Sequence, residues 1–178
     1  MDTTSPLSPF FARGAALEIG CGSGVGAGLI SDIFGAASVD GFDLDPRMVA
    51  RARNRLRRRS ERARVWVGDA SSLPLRDAHY DAVFDFGIIH HIPDWRRALA
   101  EVYRVLKPGG RFYVEEVLRS FILHPVIRRM LKHPQSDRFD SAEFLSAMSE
   151  TGFTPLAAQE LWGSFAWFIA VKPGPASN

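Results

Sequence analysis

The sequence predicts an α/β domain built on a mainly parallel sheet that is covered by helices on both faces. Three observations predict it. Short apolar runs alternate with segments of helical period five times along the 178 residues, the pattern of strands joined by right-handed helical crossovers. The first run breaks into a glycine-rich turn, GAALEIGCGSGVGAG at 14 to 28, that opens a helix. The last two runs are separated only by Trp162 and Gly163, a hairpin that must add an antiparallel edge.

The elements follow in order. Ala15 to Ile19 is a short apolar run with one carboxylate, consistent with a buried parallel strand ending at Gly20. Val25, Leu29, Ile30, Ile33 and Phe34 recur at helical spacing, and Gly35 sits where a helix C-cap belongs. A second strand, 38 to 43, leads to Asp45 as N-cap and Pro46 as first helical residue. That helix buries Met48, Val49, Ala52 and Leu56 and leaves Arg47, Arg51, Arg55 and Arg58 along an outer stripe. Strands at 63 to 67 and 80 to 86 come next. A helix from about Asp94 to Leu106 carries Trp95, Leu99, Val102 and Leu106 on one face until Pro108, Gly109 and Gly110 stop it. A fifth strand, 111 to 117, follows. Residues 120 to 132 read as a helix broken or kinked at Pro125, and Asp140 with Glu143 fits a capping arrangement for a helix ending near Gly152. Residues 154 to 161 and 164 to 171 form the hairpin.

A hydrophobic share of 46% and a charged share of 24% are those of a folded domain, and no apolar run approaches the roughly 20 residues that span a bilayer. One domain is expected over 14 to 172, with 1 to 13 as an irregular arm and 173 to 178 as a tail. The first residues carry no basic leader, so the expected location is the cytoplasm. The net charge of +2 hides an asymmetry. Residues 47 to 64 hold nine arginines and one glutamate, a local +8, which leaves −6 for all the rest. No aromatic side chains interleave with these arginines, so a solvated helix face is expected rather than a nucleic-acid surface, with an anionic membrane as a less favoured partner.

Ligands of open α/β sheets bind beyond the carboxyl ends of the strands. After the first strand, Gly20, Gly22 and Gly24 allow a sharp turn and close approach of a ligand to the backbone, and the helix that follows favours an anionic group. Asp43 ends the second strand 23 residues after Gly20, near the spacing of about 20 at which an acid takes ribose hydroxyls. Together they point to an adenosine-type ligand. Gly22, Gly24 and Ala27 also satisfy the dinucleotide pattern, so NAD stands beside other adenosine cofactors here. His90 and His91 follow the fourth strand on the substrate side, where a histidine could take a proton from an attacking atom. Of Glu115 and Glu116, alternation turns only one toward the pocket. The scattered histidines and the lone cysteine give no metal-ligand spacing, so no metal is expected, and Cys21 is read as a small buried side chain rather than a nucleophile.

The segments LEIGCGSG (17 to 24), GFDLD (41 to 45), VGDASSLPLRDAHYDAVF (67 to 84), IIHHIPD (88 to 94) and LKPGGRFYVEE (106 to 116) resemble, in order and spacing, the motifs of class I S-adenosylmethionine-dependent methyltransferases. The similarity runs from about residue 15 to 171 and is greatest to the small-molecule branch that includes ubiquinone and menaquinone methyltransferases. It implies a Rossmann-like three-layer sandwich whose seven-stranded sheet has the order 3-2-1-4-5-7-6 with strand 7 antiparallel. It also implies roles. Gly20, Cys21 and Gly22 would approach the methionine part of the cofactor, with Glu18 fixing the turn or the cofactor's amino group. Asp43 would take the ribose hydroxyls and Leu44 would pack on the adenine. Asp69 would accept from the adenine amino group, the Ala70 amide would reach a ring nitrogen, and Phe86 with Gly87 would flank the methionine chain. No catalytic residue is assigned, since in-line positioning of a sulfonium supplies much of the catalysis and His91 is more readily a structural hydrogen-bonding group.

The implied reaction is direct methyl transfer to a small molecule, leaving S-adenosylhomocysteine. An NAD-dependent oxidoreductase and an inactive cofactor-binding module are the alternatives. Relatives of this family usually carry lid helices before the glycine turn, whereas about 14 residues precede the first strand here. The apolar segment 120 to 138 is therefore expected to line a substrate pocket of apolar character, or to dock on a second subunit, such as another copy, that completes it.

Overall fold

A computed structural model describes residues 14–122 and 138–174. Seven strands, β1 (Ala15–Ile19), β2 (Ser38–Asp43), β3 (Ala63–Val67), β4 (Tyr80–Phe86), β5 (Leu106–Val117), β6 (Thr154–Leu161) and β7 (Phe165–Val171), form one sheet of order β3-β2-β1-β4-β5-β7-β6. Strands β1 to β5 pair in parallel, and β7 runs antiparallel to both β5 and β6. The expected architecture is therefore the observed one. Helices α1 (Val25–Asp32) and α2 (Pro46–Leu56) cover one face, and α3 (Trp95–Val105) and α5 (Ser141–Thr151) the other; α4 (Arg119–Ile122) is a single turn after β5.

The pleat of β1 sorts the core. Leu17 and Ile19 enter a large apolar cluster with Val83, Phe112, Phe168, Trp95, Leu99 and Phe144, whereas Ala16 joins a smaller one with Ala27, Ile30, Val39, Leu56, Phe84 and Tyr113. The α3/α5 face thus carries most of the buried surface. Caps agree with the sequence. Asp45 Oδ1 accepts from the Arg47 amide at 2.8 Å, with Pro46 at the first helical position, and Asp140 and Glu143 form a reciprocal capping box that Gly152 closes at the far end.

Four expectations change. The apolar stripe Val25, Leu29 and Ile33 of α1 is exposed, Ile33 to 70%, and the helix packs through Ala27 and Ile30. The helix lies so close to β1 that a Cβ on Gly26 would meet Glu18, and this turns Ala27 and Ile30 inward and leaves the other apolar residues outside. Leu106 belongs to β5, not to α3. It pairs with Tyr80, and Gly109 and Gly110 exchange backbone hydrogen bonds with Lys172, so Pro108–Gly110 lie within a strand rather than between elements. No helix links β3 to β4. Residues 68–79 cross as an irregular loop that Arg104 fastens, its guanidinium donating to the carbonyls of Leu73 and Leu75 and to Glu101 and Asp77 at 2.6–3.0 Å. Finally, the arginine stripe is partly structural, since Arg53 donates to Val65 O, Arg55 to Ser23 O, and Arg59 pairs with Asp32. Arg47, Arg51 and Arg58 remain on the exposed face. The kinked helix expected over 120 to 132 falls, beyond Ile122, outside the described residues.

Two outcomes follow for solution measurements. Arg104→Lys keeps the charge but loses the planar fork, and should lower unfolding free energy in urea titrations by about 1–3 kcal/mol; an unchanged midpoint would mean the loop holds without it. Charge reversal at Arg51 and Arg58 together should leave retention on heparin and on anionic vesicles unaltered, whereas salt-sensitive binding abolished by it would identify the face as a docking surface.

Candidate active site

The chain runs outward from β1 to β3 on one side and then crosses to β4 on the other. The reversal lies between β1 and β4, and the glycine turn sits directly above it. Gly20 adopts φ +65°, and a Cβ there would stand 2.3 Å from Ile88 Cγ1, so only glycine lets the loop after β4 close over the turn. Cys21 N donates to Phe42 O at 2.8 Å, tying the turn to β2. The turn is also held by Asp43, whose Oδ2 accepts from Gly22 N and Oδ1 from Asp45 N, both at 2.9 Å. Asp43 is thus the strut between the glycine turn and the start of α2. Each of its oxygens keeps further acceptor capacity.

Glu18 lies beneath, buried against α1. A Cβ on Gly26 would fall 1.9 Å from Glu18 Oε1, so the helix can start over this carboxylate only with glycine there. The Ala27 amide donates to Glu18, yet Oε2 is buried with no hydrogen-bond partner among the described residues. Burial first, then the nearby Asp43 and Asp85, push Glu18 up to about 8. Burial likewise pushes the Cys21 thiol up to about 12, which removes it as a nucleophile at neutral pH.

A pocket of about 370 Å³ opens beside the turn. Gly20, Asp43, Leu44, Asp69, Ala70 and His91 contribute to its wall. Five of the ten residues singled out for the cofactor are therefore brought together around one cavity. Glu18, Cys21, Gly22, Phe86 and Gly87 lie outside that lining; Glu18 and Cys21 are buried behind the turn. Leu44 is 73% exposed, a bare apolar lid on the rim. Asp69 Oδ1 accepts the Ser71 amide and hydroxyl at 2.8 Å each, which holds its carboxyl below the usual range. A larger apolar groove of about 690 Å³ lies on the α1 side of β4, β5 and β7, with Phe84, Phe86, Tyr113 and Trp167 among its lining. Size does not decide between them. The smaller pocket has convergent polar groups at the switch point, so it is the candidate site.

Sequence reasoning missed two features. Gly26 reads as one more glycine of the turn until the Glu18 contact is seen. The second is a buried polar cluster: Asp85 and Glu116, on neighbouring strands, have no exposure, and His90 Nδ1 lies 2.6 Å from Glu116 Oε2. Alternation had limited the choice to one of Glu115 and Glu116 without selecting it; Glu116 is the buried one and Glu115 faces the opposite groove. Among the described residues, no group of three or more His, Cys, Asp or Glu side chains is placed to hold a metal, and no helix is long and apolar enough to cross a membrane.

A mixed sheet of this order, with a glycine turn and strand-end acids around a pocket at the switch point, defines the Rossmann-like architecture of class I methyltransferases. Residues 17–114 match the family model described as a methyltransferase domain, and the chain belongs to that family, the class I S-adenosylmethionine-dependent methyltransferases. It is 37% identical over 171 residues to phosphoethanolamine N-methyltransferase 2 of Caenorhabditis elegans, covering 89% of this chain and 36% of that protein. It is 39% identical over 101 residues to the demethylmenaquinone methyltransferase of Thermus thermophilus, covering 56% of this chain and 46% of that one. The chain thus spans between a third and a half of the length of these curated relatives. In fold it resembles phosphoethanolamine N-methyltransferase 2 of Haemonchus contortus, solved in complex with S-adenosyl-L-methionine, with a TM-score of 0.82 and 21% identity over 94% of this chain and 50% of that one.

The raised Glu18 has a measurable sign. Its ordinary carboxyl value of 4.5 applies to the unfolded chain and about 8 to the folded one, so the folded state is favoured by protonation below pH 4.5 and loses that advantage as pH rises to 8. Without ligand, wild type should lose roughly 3–5 kcal/mol relative to Glu18→Gln across that window. Parallel pH profiles of the two proteins in urea unfolding would show that Glu18 ionises normally.

Proposed function

We propose that the domain transfers a methyl group from S-adenosylmethionine to a small-molecule acceptor and releases S-adenosylhomocysteine. One observation carries the cofactor reading: the buried, unpaired Glu18 Oε2 beneath a glycine turn that is braced by the same acid, Asp43, that lines the adjoining pocket. A carboxylate oxygen buried without a donor is costly, and a cationic amino group held over the turn supplies both the hydrogen bond and the charge that Glu18 lacks. The nucleoside end of the same ligand fits the pocket wall, where Asp43 faces a ribose diol, Leu44 covers a base and Asp69 Oδ2 accepts from an exocyclic amino group. NAD has no ammonium group to place against Glu18, which favours the methyl donor over the dinucleotide. Phe86, whose ring edge lies against Gly26, and Gly87 are the further residues that would flank the methionine chain of the ligand.

The bound sulfonium supplies an electrophilic methyl carbon and a neutral leaving group. What this chain's residues contribute is position. The turn fixes the donor, and the loop 88–94 walls the pocket with Ile88, His91, Ile92 and Pro93. With the donor held there, an acceptor's lone pair would displace the sulfonium's methyl group, the bonding pair going to sulfur, and His91, in the wall, would be placed to take up a departing acceptor proton. The name of the Caenorhabditis elegans relative, which spans nearly all of this chain, supports a small-molecule acceptor.

Calorimetric titration distinguishes the cofactors. Wild type should bind S-adenosylmethionine and S-adenosylhomocysteine, Asp43→Ala should weaken both at least about tenfold, and NAD should produce no heat. NAD binding without S-adenosylhomocysteine binding would overturn the proposal. Binding of S-adenosylhomocysteine with no turnover on any panel of amine, phenol and carbon acceptors would reduce the domain to a cofactor-binding module.

A further inference from the structure

Beneath the loop 88–94, three ionisable side chains share one buried site on the α3/α5 side of the sheet. Glu116 is held there from several sides. Its Oε1 accepts from the His90 amide at 3.2 Å, and its Oε2 accepts from Val117 N at 3.0 Å and faces His90 Nδ1 at 2.6 Å; the Ile89 amide and the Asp85 carboxyl are further neighbours. Asp85 Oδ1 accepts from Ile88 N at 2.9 Å and the Ile89 amide also donates to this carboxyl, whereas its Oδ2 is buried without a donor among the described residues. Two adjacent carboxyls at zero exposure cannot both ionise. The contacts say which one does. Glu116 is surrounded by N–H donors and is the better anion; Asp85, with one oxygen lacking any donor, is the better acid and can donate its proton toward Glu116.

Among the described residues, the charged groups acting on His90 include Glu116 and Arg138, and the His91 ring lies tilted against it at 4.1 Å between centroids. Glu116 favours a charged imidazole, while burial of a ring only 4% exposed and the Arg138 guanidinium oppose it and push His90 down to about 4. His90 is therefore neutral and carries its proton on Nδ1, the nitrogen that donates to Glu116. His90 is then fixed both by its backbone and by its ring, and His91 packs against that fixed ring with its own side chain in the pocket wall.

We infer that Glu116 is a positioning residue: as the anion of a proton-sharing pair with Asp85, it locks the His90 ring and the 88–90 backbone and thereby sets His91 in the pocket. An apolar trio would fill this space at lower cost, since burying charge is expensive even when paired. The cluster instead lies at the carboxyl ends of β4 and β5, against the loop that walls the pocket. The importance of His91 rests on the reading of that pocket as a methyl-transfer site, but the positioning itself can be measured without cofactor.

Histidine-labelled full-length protein, observed by 15N and 13C NMR, provides the test. In wild type, His90 should show the neutral Nδ1–H tautomer with no titration between pH 6 and 8. Asp85→Asn, which mimics the protonated acid, should keep that tautomer and the His91 shift. Glu116→Gln, which removes the anion, should lose the tautomer, shift the His91 resonance and weaken S-adenosylhomocysteine binding at least threefold. Equal behaviour of the two variants, or an unmoved His91 in Glu116→Gln, would overturn the inference. Should Glu116→Gln not fold, His90→Asn, whose amide replaces the Nδ1–H, must retain the His91 shift that His90→Phe loses, and the same shift in both variants overturns it. Failure of wild type to bind S-adenosylhomocysteine would count against the cofactor reading alone, since the NMR arm needs no ligand.

Discussion

Four acids stand at or near the carboxyl ends of the four central strands, and each accepts from backbone N–H groups of the chain around the pocket, although Glu18 Oε2 and Asp85 Oδ2 have no donor among the described residues. Glu18 of β1 takes Ala27, Asp43 of β2 takes Gly22 and Asp45, Asp85 of β4 takes Ile88, and Glu116 of β5 takes His90 and Val117. Parallel strands buried on both faces leave little room for polar side chains except at their ends. There a carboxylate exchanges water for amides and fixes the chain that follows. The loops that form the pocket are therefore set by charged groups that the sheet itself delivers.

This arrangement separates two kinds of acid. Asp43 and Asp69 sit in the pocket wall, partly satisfied by backbone and open on one side. Glu18, Asp85 and Glu116 are buried and pushed upward from the ordinary carboxyl range, chiefly by loss of water. The first set presents hydrogen-bond acceptors to a ligand. The second holds geometry, and one oxygen of Glu18 has no donor among the described residues. Rigid placement by buried groups and recognition by half-open ones are complementary requirements of a site that must align a reactive methyl group with its acceptor.

The core distributes its load accordingly. The α3/α5 face, with Trp95, Phe139, Phe144 and Phe168 in contact, is a dense apolar layer beneath the His90 loop. The α1/α2 face is thinner and leaves an apolar groove over β4, β5 and β7.

Strand positions, caps and the hairpin were legible in the sequence because they rest on local pattern: period-2 and period-3.6 hydrophobicity, Asp140 three residues before Glu143, a Trp-Gly turn between two runs; the full sheet order came from the family resemblance. The pocket acid Asp43 was legible for the same reason, since spacing from the glycine turn places it at a strand end, whereas Asp69 was singled out by the resemblance of its segment to the family's motifs. What only the tertiary structure decided depends on partners far apart in sequence. Pro108–Gly110 look like a stop until Lys172 pairs with them, and the stripe Val25, Leu29, Ile33 looks like a core face until Gly26 seats against Glu18 of β1 and turns Ala27 and Ile30 inward. Glu116 is indistinguishable from Glu115 until Asp85, 31 positions earlier, and His90 close around it. Local periodicity states which residues can face inward; which of them share a buried charge is set by strand register, and register is a property of the folded sheet.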